Sequence, residues 1–244
     1  MVTINCDIGE AFGIYRFGDD AACMPYITHA NVACGFHASD PMVMAHTVRL
    51  AKAANIRVGS HPGLPDREGF GRRPMRMSRE EVANLTIYQT GALAGFLRAE
   101  GLELSHIKPH GSLFGMAQND PEVAEGIADA AVVFGVPVIA YSDCCMSEVF
   151  SRRSIPFTCE FYVDINYGDD GRQIISREHP PISPEDVTEK VRRALDEGVT
   201  RAVSGKDVRV VAESICVHSD TPNAIAIARA VYDELRLLKR LTTV

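Results

Sequence analysis

The sequence predicts an α/β fold, a distorted (β/α)7 barrel formed by one chain of 244 residues. Seven apolar runs of strand length recur along it, and most are followed by a segment with helical spacing. Such alternation means parallel strands joined by right-handed crossovers. Acids, imidazoles and a lysine also stand at the ends of the runs, which is how a barrel gathers a site on one rim. Seven units fall one short of the eightfold barrel, hence the distortion; a doubly wound open sheet is the alternative.

The runs cover residues 2–7, 29–35, 56–62, 104–110, 137–142, 157–164 and 214–218. Between them, Asp40-Pro41 opens a helix reaching about residue 54. Ser78 and Glu81 form a capping box, and Val82, Leu85, Gln89, Leu93 and Phe96 follow it as one stripe at three-and-four spacing. Asp120-Pro121, Ser183-Pro184 and Thr221-Pro222 each set an N-cap residue before a proline, starting helices that run to roughly residues 134, 197 and 239. The stretch 63–77 is too long for a simple connection. Segment 162–181, polar and rich in Asp and Gly, reads as an excursion near the rim. Neither a linker nor a repeat divides the chain, so residues 1–244 read as a single α/β barrel domain.

Composition narrows the function. Hydrophobic residues make up 46% with no Trp, which fits a core of Ala, Val, Ile and Leu. The net charge of −7 and the absence of a long basic run argue against nucleic acid as a partner. Seven cysteines without CxxC spacing argue against zinc ribbons and suit a reducing compartment. No apolar stretch has membrane-spanning length, and MVTINCDIGE enters a strand without a leader-like pattern, so the expected location is cytoplasmic.

The chemistry-bearing residues follow the strands. In NCDIGE, Asn5 and Asp7 share one face by the period of two, and Glu10 follows. Asp7 reads either as a site carboxylate or as a turn cap, and a buried carboxylate there needs a cation or donors. His37 lies just past the second run, in CGFHASD. The helix at Pro41 turns its positive end this way, a setting for an anion, although Asp40 reads first as its cap. His61 in GSHPG and His110 in KPHGS end their runs beside glycines that permit close approach. His106, Lys108 and His110 share parity, so a cluster of donors is expected there. His218 closes the last run in CVHSDT, with Thr221 as the expected helix cap, whereas His29, His46 and His179 have no such setting. Arg72 carries a guanidinium suited to a carboxylate, or lies in a surface loop.

These imidazoles fit either of two chemistries. As neutral bases they serve acid–base catalysis near neutral pH. With a carboxylate they would also suit a divalent metal, the candidates being Asp7, His37, His61 and His110. No HxH or HExxH spacing decides the matter, and no Walker A, dinucleotide or GxSxG motif occurs.

At these residues the chain resembles the LamB/YcsF family. The matching stretches are NCDIGEAFG (5–13), HANVACGFHASDP (29–41), GSHPGLPDREGFGRR (59–73), HIKPHGSLF (106–114) and SICVHSDTP (214–222). The resemblance implies a barrel of the glycoside hydrolase/deacetylase type. It further implies ATP-dependent opening of 5-oxoproline to L-glutamate, carried out with the B and C subunits of a 5-oxoprolinase. On that reading Asp7 or Glu10 positions or deprotonates water, His61 and His110 exchange protons, and Lys108 stabilises the oxyanion. His37 and His218 join the catalytic group, and Arg72, Asn5, Asn31 and Asp220 bind the substrate, with Arg72 on its carboxylate. Two departures stand out. Val163-Asp164-Ile165 replaces the family's usual Ala-Asp-Arg, and His179-Pro180-Pro181 replaces a Gly-containing turn. A branch acting on another lactam or amide therefore stays open, as do a metal-dependent deacetylase, a non-catalytic component that holds a small acid, and self-association.

Overall fold

The computed structural model describes residues 1–174 and 181–242. Seven parallel strands close into a barrel: β1 (Thr3–Ile8), β2 (His29–Ala33), β3 (Arg57–His61), β4 (Leu104–Ile107), β5 (Val138–Ala140), β6 (Phe157–Tyr162) and, after the hairpin β7 (Val199–Arg201) and β8 (Asp207–Arg209), β9 (Ser214–His218). Neighbours in sequence are neighbours in space, and β9 closes the ring against both β1 and β6. The closed barrel replaces the open-sheet alternative.

The helices among the described residues are α1 (Asp20–Cys23), α2 (Pro41–Ala53), α3 (Arg79–Ala99), α4 (Gly111–Asn119), α5 (Pro121–Phe134), α6 (Cys145–Arg152), α7 (Pro184–Asp196) and α8 (Ala224–Leu237). None is long and apolar enough to cross a membrane. Their starts follow the expected chemistry at Asp40, Ser78, Asp120 and Ser183, each of which accepts a backbone N–H of the first turn. The last helix departs from expectation. Asn223 rather than Thr221 precedes its first turn, because the Thr221 hydroxyl is drawn to Asp164 Oδ2 at 3.2 Å. Asp40 also takes the N–H groups of Met42 and Val43, so the positive end of α2 is spent on its own cap. Helices α1, α4 and α6 and the hairpin are not among the elements expected, although α4 buries Leu113, Phe114 and Ala117, and α6 Met146, Val149 and Phe150, at three-and-four spacing.

The interior departs from that of an ordinary barrel, which is filled by branched apolar side chains. Outward-facing Ile4, Cys6 and Ile8 of β1, Ala30 and Val32 of β2, and Ile215 and Val217 of β9 are buried beneath the helices. The alternate positions, Asn5 and Asp7, Asn31, His61, Glu160, and Ser214 and His218, are polar and buried as well. Burial of so many polar groups is tolerable only if they satisfy one another.

Candidate active site

Strand register assembles the centre of the site. Asp7 lies beside Asn31 on one side and His218 on the other, while His61 ends β3 one step further along the barrel. Lys108 and His110 follow the end of β4, which stops at Ile107. Asp7 Oδ1 accepts from Asn31 Nδ2 at 2.7 Å and from Lys108 Nζ at 2.8 Å. Its other oxygen, Oδ2, stands 3.3 Å from His61 Nε2 and 3.5 Å from His218 Nε2. Burial alone would raise the Asp7 carboxyl, but His61, Lys108 and His218 overcome it and hold the group well below the usual carboxylate range.

Lys108 is enclosed by acceptors. Besides Asp7, its ammonium reaches Asn5 Oδ1 at 3.2 Å, Cys216 Sγ at 3.0 Å and Glu160 Oε2 at 3.0 Å. Burial opposes its charge, yet Asp7 and its other neighbours keep it protonated well above neutrality. Glu160 in turn accepts the Tyr162 hydroxyl at 2.5 Å, and the Tyr162 ring lies stacked along His218 with centroids 5.6 Å apart.

His218 is oriented by Asp164, which contacts Nδ1 at 2.8 Å and accepts the His218 backbone N–H at 2.7 Å. Burial would push this imidazole down, but Asp164, by charge and hydrogen bond, with Asp7 and Asp220 adding, lifts it to about 9. It therefore faces Asp7 Oδ2 as an imidazolium at neutral pH.

Next to this centre, His37, His61, His110 and Glu10 converge, with one donor atom from each lying within 4.8 Å of all the others. The His37 and His110 rings stack at 3.7 Å, under the edge of Phe70. Backbone carbonyls fix two tautomers: His61 Nδ1 faces Lys108 O at 2.8 Å and His110 Nε2 faces Phe70 O at 2.7 Å, so both outer nitrogens must donate. The inner nitrogens, His61 Nε2 and His110 Nδ1, then meet at 3.0 Å. If both rings are neutral, two lone pairs face each other, and a proton or a cation must lie between them. Glu10 Oε1 stands 3.3 Å from His37 Nε2 and 3.6 Å from His110 Nδ1. Burial, with the charges of Asp220 and Asp7, raises the Glu10 carboxyl well above its ordinary value, and burial lowers His37 and His110.

The loop after β3 builds this wall. Gly71 has φ +63°, and a Cβ there would come within 2.8 Å of both the His110 and the His37 side chains. Arg72 pairs with Asp220 at 3.0 Å, both side chains being buried. A cavity opens onto the centre, with Asp7, His61, Lys108, His110 and His218 on its polar side and Pro109, Phe114, Tyr162 and Ile165 on its apolar side; Arg72, Gly111 and Gln173 complete it.

Asp7, Glu10, His37, His61, Lys108, His110 and His218 are thus brought together. Asn5 and Asn31 lie beneath the cavity, bonded to one another and to Asp7 or Lys108. His46 is exposed, and His179 with Pro180 lies outside the described residues. Sequence reading assigns no site role to Asp164, Glu160 or Cys216. Glu160 has a usable signal, a lone acid inside an apolar run, which demands a buried cation.

Fold and site together define a hydrolase-like α/β barrel with its polar centre at the carboxyl ends of the strands. The chain belongs to the LamB/YcsF family, whose model matches residues 2–240. It is 46% identical over 233 residues to the lactam utilization protein lamB of Emericella nidulans, covering 93% of this chain and 90% of that one. It is 39% identical over 240 residues to the 5-oxoprolinase A subunit of Bacillus licheniformis, covering 97% and 95% of the two chains. The crystal structure of the lactam utilization protein from Thermus thermophilus superposes with a TM-score of 0.88 at 36% identity, covering 99% of this chain and 98% of that one.

Proposed function

We propose that this chain is the A component of a 5-oxoprolinase and opens the lactam ring of 5-oxoproline to L-glutamate, using ATP together with B and C partner subunits. The observation that carries the reading is the asymmetry of Asp7. One oxygen is saturated by Asn31 and Lys108, and the other faces two imidazoles and the cavity. With Oδ2 open to the cavity, this carboxylate is placed to orient attacking water and, weak base though its neighbours make it, to take up the proton released on attack. Attack on the lactam carbonyl carbon places negative charge on its oxygen, which the His218 imidazolium offsets; Lys108, surrounded by acceptors, instead keeps Asp7 charged. The C–N bond then breaks, and the ring nitrogen takes its proton from the His61–His110 pair. The apolar wall of Phe114, Tyr162 and Ile165 suits the ring methylenes, while Arg72, through its exchange with Asp220, suits the carboxylate. The cavity has space for a few waters beside Asp7 and opens outward between its polar and apolar walls.

The donor set of Glu10, His37, His61 and His110 fits a small divalent ion such as zinc. Ligand atoms around one tetrahedral zinc stand roughly 3.3–3.4 Å apart, and the inner nitrogens, already facing each other as lone pairs, lie 3.0 Å apart. Such an ion would take the place of the proton between His61 and His110 and would supply Lewis-acid polarisation or an activated water, the ring nitrogen then receiving the water's proton by way of Asp7. Glu10 is the carboxylate of this group, and Asp7 falls in a second possible ligand group with Cys216 and His218. The names of the bacterial relatives, which designate one component of a larger enzyme, support the partner reading. An unstrained lactam needs an external driving force, which supports the use of ATP.

The test is glutamate release from 5-oxoproline and ATP, with this chain alone and with B and C subunits. Release only from the mixture is expected. Silence in both, with the subunits shown to be folded and associated, would assign the site to another lactam or amide.

A further inference from the structure

Deep in the barrel, on the side away from the cavity, His106 is buried and reaches Asn31 across the interior. Its placement has three local causes. Between Val58 and Ser60 of β3 the facing strand advances from Leu104 to Ile107, so β4 carries one extra residue there. Gly59, the register partner of Asn31, leaves the space, since a Cβ at that position would fall 2.2 Å from His106 Nε2. Ser105, beside the extra residue, contacts His106 Nδ1 through its hydroxyl at 2.6 Å.

The hydrogen bonds in this column have only one consistent direction. Asn31 Nδ2 spends its two protons on Asn5 Oδ1 at 2.8 Å and Asp7 Oδ1 at 2.7 Å. Its carbonyl oxygen must therefore accept, and the donor is His106 Nε2–H at 2.6 Å. His106, neutral in its buried setting, needs its Nδ1 to accept, and the Ser105 hydroxyl supplies that proton. The order is thus Ser105 to His106 to Asn31 to Asp7. An amide flip at Asn31 would set oxygen against the Asp7 carboxylate, and the His106 N–H prevents it.

We infer that His106 is a positioning residue: acting through Asn31, it determines which oxygen of Asp7 is saturated and which is turned toward the reacting centre. This rests on the role proposed above for Asp7. Asn31 is then a support for the catalytic carboxylate rather than a substrate contact. Gly59 and the irregularity in β4 are the backbone provisions for that support.

The experiment compares wild type, His106→Phe and His106→Gln in two measurements. The first is the ¹H–¹⁵N spectrum of the Asn31 side-chain amide in the resting chain, assigned with Asn31→Asp. The second is steady-state lactam turnover in the reconstituted mixture. Phe fills the space without a donor and should shift the Asn31 amide signals and lower kcat about 10- to 100-fold with KM nearly unchanged. Gln restores an N–H and should recover most of both losses. If Phe leaves spectrum and kcat as in wild type, or if Gln is no better than Phe, His106 only packs and the inference is overturned. Should no form turn over 5-oxoproline while the amide signals change with Phe and return with Gln, the positioning stands and the substrate assignment falls.

Discussion

Removing the Asp164 carboxylate should uncouple the charge of His218 from the fold. In the folded chain this imidazole is lifted from 6.5 to about 9, a difference worth about 3 kcal/mol. Because the folded value lies above the unfolded one, the contribution is fully present below pH 6.5 and is lost as pH rises through about 9. The side chain is only 11% exposed, so solvent screening removes little of it. Asp164→Asn keeps a hydrogen-bond acceptor and removes the charge. Urea unfolding from about pH 6 to about pH 10 should show wild type losing about 3 kcal/mol across this window and the variant losing under about 1 kcal/mol. In parallel, ¹H–¹⁵N titration of the His218 ring should move from near 9 in wild type to below about 7 in the variant. A wild-type ring titrating at its ordinary value, or equal pH slopes for the two proteins, would refute the reasoning. The same substitution should lower turnover, since the imidazolium opposite Asp7 is lost at neutral pH.

Other outcomes follow from the same geometry. Lys108→Met strands Asp7 and Glu160 without their buried cation, and chemical denaturation should register a loss of about 3–5 kcal/mol together with lost turnover; wild-type stability would show that the ammonium is not needed to balance them. Gly71→Ala drives a methyl against His37 and His110 from a left-handed backbone, so activity should fall sharply while the melting point drops by only a few degrees. Zinc titration by calorimetry should detect about one strong site in wild type and none in His37→Ala or His110→Ala; equal binding by all three would remove these histidines from the metal set. Arg72→Ala should raise KM for 5-oxoproline with a smaller effect on kcat, read from initial rates; an unchanged KM would release Arg72 from the substrate carboxylate.

What the sequence reveals and what it hides have the same origin. Apolar runs of strand length make the strands legible, and because the chemistry sits at strand ends, Asp7, His61, Lys108, His110 and His218 are legible with them. Helix starts are readable where a side chain bonds its own first turn, as at Asp40 and Ser78. The same local rule fails at Thr221, whose hydroxyl answers to Asp164, 57 residues away. Partnerships of that range leave no local trace. Lys108 sits 101 residues from Asp7, and Arg72 sits 148 from Asp220. Yet the need for them is visible in outline. An acid such as Glu160 within an apolar strand, or an asparagine such as Asn31 within another, is admissible only if something across the barrel answers it. In this barrel those answers chain together, from Ser105 at one end to His218 at the other. The polar interior is therefore one connected structure, and the Asp7 carboxylate is bonded from beneath, through Asn31 and His106, as well as facing the cavity above.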